Sequence, residues 1–306
     1  MLGAVGAAVL CGTSMTVRNG ATVKLSTAGV FWKSYAKRPW HDIANFGDED
    51  LSAAPAYGMY DVIPAEAPVE TYKQYDYLIF VGWNSMTDEI YDKLLAFVEN
   101  GGKLLMTAAH LNYTSRRDGE KKYISNEKLE KLFGCTFTGE TVSTNDGVKF
   151  WDESLSGILY PGTKNRSCDP IYSAGYISLL KCVPTTGYAV GESQNHFSNR
   201  TLNLPMVIEN KVGKGVATLV TAENYPGHPA LYPLYRAIVR EMVTQSAREC
   251  ELQVISSGAL RYAVYEGGKM YLLNTDYNLP IFVKIKKGDQ EQQIILDSLE
   301  LKSITI

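Results

Sequence analysis

One stretch of the chain alternates short apolar runs with an amphipathic segment. Tyr77–Val81 and Lys103–Ala109 are almost continuously apolar, which is typical of strands buried on both faces of a parallel sheet. Residues 87–100 lie between them and carry apolar side chains at positions 90, 91, 94, 95, 97 and 98, the spacing of a helix. Thr87 and the acids after it suit a helix start, and Gly101–Gly102 suit its end. The stretch therefore predicts a strand, helix and strand with a right-handed crossover.

Further patterns flank this unit. They predict a strand over 59–63, a capped helix over 125–133 that ends at Gly134, a hairpin over 205–221 and an amphipathic helix over 230–241. Residues 135–205 are rich in Gly, Ser, Thr and Tyr and predict a β-rich insertion. Residues 36–58 predict a long loop, which is uncommon unless it is functional or packs on another domain.

From about residue 251 the pattern changes to alternation with a period of two. It predicts five strands, over 260–265, 269–274, 281–286, 292–296 and 299–306. The fold class expected is therefore α/β, with a mostly parallel sheet and flanking helices over 1–247, followed by a small antiparallel β-sandwich domain over 248–306.

Composition narrows the classes of partner. A net charge of -3 and no basic run argue against nucleic-acid binding. The apolar residues 1–11 carry no charge, so they lack the basic start of a signal peptide and are too short to span a membrane. Five scattered cysteines without a CxxC spacing favour reduced thiols over a zinc site, and the compartment favoured is the cytoplasm.

Four passages carry a resemblance to a known group of enzymes. They are 75–83, 95–105, 212–220 and 269–274. With the order of elements, they resemble the flavodoxin-like "trimerisation" domain and the C-terminal β-domain of family 42 β-galactosidases. That middle domain belongs to the class I glutamine amidotransferase-like group, so the resemblance implies a flavodoxin-like α/β domain behind a catalytic barrel.

The resemblance also permits a test for amidotransferase chemistry. The group carries its cysteine nucleophile on a tight turn after the strand that is Lys103–Ala109 here, but this sequence has Ala109 and His110 there. The group's His-Pro-Glu reads His228, Pro229 and Ala230. A histidine without a nucleophile or an orienting acid does not support acyl transfer, so a degenerate site is expected.

A glycosidase needs two facing carboxylic acids, usually on a barrel of about 250 residues. The two predicted domains leave no room for such a barrel. Glycoside hydrolysis is therefore expected only if a barrel is supplied from elsewhere, and the chain by itself remains uncertain as an enzyme.

A few residues remain as candidates for a site. His110, Glu223 and His228 follow strand ends, where ligands bind in open α/β sheets. Trp83 and its neighbour Asn84 lie in a turn after Tyr77–Val81 and are candidates for stacking on a sugar ring. For each of these residues, we expect a purely structural role before a role in binding or catalysis. We expect no cofactor and no metal.

We thus expect a non-catalytic assembly and support module of a carbohydrate-active enzyme. Its partners would be a second copy of the chain or a barrel catalytic domain, with carbohydrate as a further ligand and neither nucleic acid nor membrane. Two alternatives stay open. One is a small-molecule or sugar-processing hydrolase that uses His110, Glu223 and His228, and the other is a sugar-binding module built on Trp83.

Overall fold

A computed structural model describes the structure over most of the chain after residue 61. The described residues are 7–11, 62–80, 85–116, 119–144, 147–150, 154–155, 176–194, 201–226, 228, 230–231, 234–235, 238, 242, 252–257 and 259–306. The loop predicted over 36–58 and the first part of the strand predicted over 59–63 lie outside them. The chain divides into two compact units, one with residues 8–20 and 62–241 and the other with 1–7, 21–61 and 242–306.

The larger unit is built on an eight-stranded sheet. Its strands are β1 (Ala7–Cys11), β2 (Val62–Pro64), β3 (Tyr77–Phe80), β4 (Lys103–Thr107), β6 (Gly147–Phe150), β8 (Tyr188–Gln194), β9 (Thr201–Val212) and β10 (Gly215–Val220). Their order across the sheet is β2-β1-β3-β4-β10-β9-β8-β6. Two further strands, β5 (Cys135–Thr144) and β7 (Ile177–Pro184), form a separate antiparallel pair.

The sheet is mixed, which corrects the expectation of a mostly parallel, flavodoxin-like sheet. β1 with β2, β3 with β4 and β4 with β10 are parallel, whereas β10, β9, β8 and β6 follow one another antiparallel. The predicted hairpin is present, but its turn is only the two residues Gly213 and Lys214, and β9 is longer than predicted. Strands of the predicted insertion over 135–205 extend the main sheet beyond this hairpin, and this extension makes the fold mostly β.

Two helices of the larger unit form where capping residues predicted them, and a third, short one was not predicted. α1 (Val69–Tyr72) is a single turn, α2 is Asp88–Glu99 and α3 is Asn126–Phe133. The Thr87 side chain accepts the Ile90 N–H at 3.1 Å, and the Ser125 side chain accepts the Lys128 N–H at 3.3 Å, so α2 and α3 each have a side-chain N-cap, whereas α1 has none. In the region predicted as the last helix, Leu234, Tyr235, Ile238 and Met242 are helical and buried.

The main core lies between the sheet and these helices. The buried faces of α2 and α3 contribute Leu94 and Phe133, and the central strands contribute Phe80 and Leu104, all fully buried. Burial of each such side chain stabilises the fold by about 1.5–3 kcal/mol relative to exposure. The core therefore fixes β4 and β10, the strands that lead into the candidate site.

Residues 252–306 of the smaller unit are mostly β where they are described, as predicted, with one short 3₁₀ turn at Glu266–Gly268. β11 (Leu252–Ile255), β14 (Ile281–Lys287) and β15 (Gln290–Leu296) form one sheet, and β12 (Leu260–Val264), β13 (Lys269–Asn274) and β16 (Leu301–Thr305) form another. All pairings are antiparallel. Side chains from both sheets share one core, including Met270, Leu272 and Val283. The sequence analysis missed β11, and the domain boundaries 1–247 and 248–306 stay a prediction.

Within the described part of the chain, no helix has the length and apolar character that crossing a bilayer requires.

Candidate functional site

The candidate site lies where the parallel strands β4 and β10 end. Their register pairs Thr107 with Val220, so the segments that follow both strands start at the same edge of the sheet. The Ala109 N–H donates to the Ala222 carbonyl at 3.1 Å, which ties the two segments together. One segment carries His110, and the other carries Glu223 and His228.

His110 is fully buried in a 3₁₀ turn, Ala108–Leu111, directly after β4. Its Nδ1 accepts the Thr107 backbone N–H at 3.2 Å and lies 2.9 Å from the Thr107 hydroxyl. Because Nδ1 accepts a hydrogen bond from the N–H, the geometry assigns the ring proton to Nε2. The ring also makes edge contacts with Phe80 and Tyr225, with centroid distances of 5.3 and 5.1 Å. These contacts give His110 a role in holding the edge together.

The Glu223 carboxylate accepts several hydrogen bonds at this edge. It accepts hydrogen bonds from the Tyr123 hydroxyl at 2.5 Å, the Lys121 ammonium at 3.1 Å and the Ser178 hydroxyl. Its side chain is only 10% exposed. Burial by itself raises the pKa of Glu223, but the hydrogen bonds from Ser178, Tyr123 and Lys121 outweigh it, so the pKa lies below the ordinary value. Burial and the bond to Glu223 in turn raise the pKa of Tyr123. Glu223 is therefore ionised at neutral pH and linked to two other segments of the chain, residues 121–123 and the start of β7.

Replacing Glu223 with glutamine is expected to lower the free energy of unfolding at pH 7 by about 1–3 kcal/mol, the range for hydrogen bonds to a charged group. Because the folded state depresses this pKa, the stabilisation is present above the ordinary Glu pKa and is lost as the pH falls through the folded value. Urea unfolding at pH 7 and near pH 3 measures the difference. Glu130→Gln, on the exposed side of α3, is the control and should change little at either pH. A difference that persists undiminished in acid would contradict the assignment.

His228 is half-buried in the turn before the last helical region. Its backbone N–H donates to the Tyr225 carbonyl at 2.9 Å, and its Nδ1 accepts the Ala230 N–H at 3.2 Å. Burial lowers the pKa of His228, so the ring is neutral at pH 7. His228 thus caps a turn.

Tyr225 lies between two of the candidates in sequence, Glu223 and His228, and contacts the ring of the third, His110. Among the described residues, no group of three or more His, Cys, Asp or Glu side chains is arranged to hold a metal ion. Trp83 and Asn84 lie outside the described residues.

Two described cysteines lie away from this edge. Cys135 and Cys182 are buried free thiols on the β5–β7 pair. A hydrogen bond with Cys182 and burial raise the pKa of Cys135 well above its ordinary range. A protonated, buried thiol is a poor nucleophile, and the turn after β4 holds Ala108 and Ala109, both buried.

Sequence analysis missed the residues that bind Glu223. Tyr123 lies 100 positions away from it and Ser178 lies 45 positions away. Ser178 sits at the start of β7, in a region predicted only as loops and short strands. An alternation of apolar residues at 177, 179, 180 and 182 was the available signal for this strand.

Comparisons with known proteins support the resemblance to a part of GH42 β-galactosidases. No family model and no curated protein sequence matches the chain. Among solved structures, a catalytic mutant of Gan42B, a GH42 β-galactosidase from G. stearothermophilus, is similar with a TM-score of 0.57 and 16% identity, over 98% of this chain and 40% of that chain. A β-galactosidase from the haloarchaeon Halorubrum lacusprofundi gives 0.55 and 15%, over 99% and 40%. An α-L-fucosidase isoenzyme from Paenibacillus thiaminolyticus gives 0.52 and 13%, over 92% and 42%.

The chain thus spans about 40% of the length of these relatives. At these identities the likeness is one of fold. Nearly the whole chain has the fold of a part of GH42-type β-galactosidases, as the sequence predicted.

Proposed function

We propose that the chain is a non-catalytic support module of a carbohydrate-active enzyme, of the glycoside hydrolase class, and that it docks to a barrel catalytic domain. The observation that carries the proposal is the coverage. Almost all of this chain, and less than half of each GH42 β-galactosidase, enters the match. A module that accounts for the smaller part of an enzyme leaves the catalytic part to the remainder, which in family 42 enzymes includes the barrel.

The chemistry of the β4–β10 edge supports a role without catalysis. Glycoside hydrolysis uses a pair of carboxylic acids about 5–10 Å apart, one of them with a raised pKa. The pKa of Glu223 is lowered instead, and the groups on its carboxylate are two hydroxyls and an ammonium. The hydrogen bonds of this carboxylate stabilise the fold. Because they keep Glu223 ionised, it has no proton to donate as a general acid.

The degenerate amidotransferase-type site is part of the same proposal. Ala109 stands where that chemistry needs a nucleophile, and its N–H donates to the Ala222 carbonyl. Ala230 stands where the acid would follow His228 and Pro229. The nucleophile and the orienting acid are therefore both replaced, and the remaining residue, His228, caps a turn.

An assay of the purified chain tests this proposal against the hydrolase alternative. We expect no hydrolysis of nitrophenyl β-galactoside, α-fucoside or β-mannoside above the rate without protein, and no change in Glu223→Gln. Turnover by the chain alone that disappears in Glu223→Gln would overturn the proposal and support a hydrolase at this edge. Lys181→Gln, which removes an exposed ion pair with Glu140 on the β5–β7 pair, is the matched control for a changed surface charge.

A further inference from the structure

The sheet of β12, β13 and β16 has one face in the core of the smaller unit and one face directed outwards. Successive residues of a strand point to opposite faces, and Leu260, Met270 and Leu272 lie in the core. The residues that alternate with them, and their partners on β16, therefore share the opposite face. The Tyr265 N–H donates to the Lys269 carbonyl at 2.8 Å and extends the pairing of β12 with β13 by one position. We call positions 261, 263, 265, 269, 271, 273, 301, 303 and 305 the outer face.

The outer face carries positive charge on a chain that is acidic as a whole. It holds Arg261 and Lys269 and no aspartate or glutamate, whereas the chain has a net charge of -3. Lys269 is exposed and Arg261 is half-buried. The other polar groups of the outer face are hydroxyls, on Tyr265, Tyr271, Ser303 and Thr305. A face with cations and without acids complements an anionic ligand.

Two tyrosines of the outer face form an ordered aromatic platform. The rings of Tyr265 and Tyr271 meet edge to face, with their centroids 5.5 Å apart. The Lys269 ammonium lies 4.9 Å from the centroid of the Tyr271 ring, which is a cation–π contact. Tyr265 is still 50% exposed. Because its ring is already held by a neighbour, Tyr265 loses little side-chain entropy when a ligand stacks on it.

The turn between β12 and β13 fixes the spacing of the platform and the ammonium. The Gly268 N–H donates to the Tyr265 carbonyl at 3.2 Å, and the Gly268 carbonyl accepts the Ile306 N–H at 2.8 Å. The turn is therefore bonded both to β12 and to the residue that follows β16. Tyr265 and Lys269, at its two ends, keep their positions before a ligand arrives.

The size and chemistry of the outer face suit a short run of sugar rings that carry carboxylates. From the spacing of residues and strands, the outer face is about 13 Å long and about 10 Å wide. A pyranose has an apolar C–H face that packs on a tyrosine ring, and its hydroxyls pair with hydroxyl side chains. A carboxylate on the ring is bound by arginine and lysine.

We propose that the outer face binds an acidic glycan, a polysaccharide with uronate residues. The site uses none of the residues that the sequence suggested for a sugar platform. The anionic character of the ligand follows from the charges of the outer face. The choice of a glycan over an acidic peptide rests on the proposed function in a carbohydrate-active enzyme.

Calorimetric titration of the full chain with polygalacturonate tests this proposal. We expect binding at low salt and an affinity about threefold lower at about 0.5 M salt, because salt screens the exposed charges. Fully methyl-esterified polygalacturonate keeps the sugar rings and loses the charge, so it should bind about tenfold more weakly.

Variants of the outer face locate the site. Tyr265→Ala should weaken the binding of polygalacturonate about tenfold, through loss of the ring contact, while Tyr265→Phe keeps the ring and should bind as the wild type does. Lys269→Gln should weaken binding about threefold. Tyr176→Ala and Lys181→Gln, at exposed positions of the larger unit, are the matched controls and should bind as the wild type does. Circular dichroism verifies that each variant is folded.

Several results would overturn the proposal. They are no binding of polygalacturonate by the wild-type chain, equal binding of the methyl ester, and unchanged binding in folded Tyr265→Ala and Lys269→Gln. Polyglutamate bound as tightly as polygalacturonate would also overturn it, because the outer face then selects for charge and suits an acidic peptide. None of these results bears on the proposed support of a barrel, which is tested separately by turnover and by recovery of the barrel.

Discussion

Replacing Gly134 with alanine is expected to lower the free energy of unfolding by about 3 kcal/mol, from a left-handed backbone and an overpacked contact together. Gly134 ends α3 with φ +64°, and its N–H donates to the Glu130 carbonyl. A Cβ at this position would lie 2.2 Å from the Gly187 nitrogen and 2.6 Å from the Gly187 Cα. These are backbone atoms, so no side-chain rotation relieves the clash.

The contact also joins the end of α3 to the segment between β7 and β8. The Gly134 carbonyl accepts the N–H groups of Thr185 and Gly187 at 2.7 and 2.9 Å. Moving the two backbones apart would break these bonds, which is why we expect a large effect rather than a local adjustment.

Gly139→Ala provides a control with the same backbone problem but without the contact. Its φ is +89°, and no atom lies within 4 Å of a Cβ built there. We expect it to cost about 1–2 kcal/mol, the left-handed term alone. The midpoints of urea unfolding measure both variants, and equal midpoints would refute the role assigned to the contact with Gly187.

The second large effect is expected from His110→Ala, which should lower the free energy of unfolding by about 3 kcal/mol through a cavity and an unsatisfied backbone donor. The substitution removes the Nδ1 acceptor of the Thr107 N–H and the ring contacts with Phe80 and Tyr225. Tyr225 belongs to the segment that carries Glu223 and His228, so loss of its contact with His110 should also weaken the packing of that segment.

Two further variants divide this effect. His110→Phe keeps a ring against Phe80 and Tyr225 but removes the acceptor, while His110→Asn keeps a polar acceptor and removes most of the ring. Each should retain part of the stability lost in His110→Ala, as measured by urea unfolding. If His110→Ala has the stability of the wild type, His110 does not have the structural role assigned to it, and a chemical role is favoured. The proposal of a support module would then lose its main structural argument.

Local signals in the sequence predicted α2 and α3 but not the single turn of α1. Thr87, Ser125 and Gly134 act within one helical turn of themselves, so their effect is visible without a fold. The hairpin of β9 and β10 and the alternation after residue 251 are local in the same sense. The two-residue turn at Gly213 and Lys214 lengthened the hairpin but did not change its pairing.

Long-range pairing was not predictable in this way. The sequence pattern of residues 135–205 indicates strands but not their partners, so β8 was read as part of an insertion although it pairs with β9 and extends the main sheet. The site shows the same limit. His110 and Glu223 were identified because they follow strand ends, while Tyr123 and Ser178, which bind Glu223, come from loops and strands whose approach depends on the complete fold.

The most direct test of the account is the glycosidase content of the protein as its source cells make it. An antibody against the smaller unit recovers the native protein, peptide sequencing identifies what is recovered, and a chromogenic β-galactoside reports activity. The account predicts a (β/α)₈-barrel glycoside hydrolase, in the same polypeptide or in complex, with glycosidase activity that the 306-residue chain lacks by itself. Recovery of this chain without any barrel hydrolase, and without activity, would contradict it.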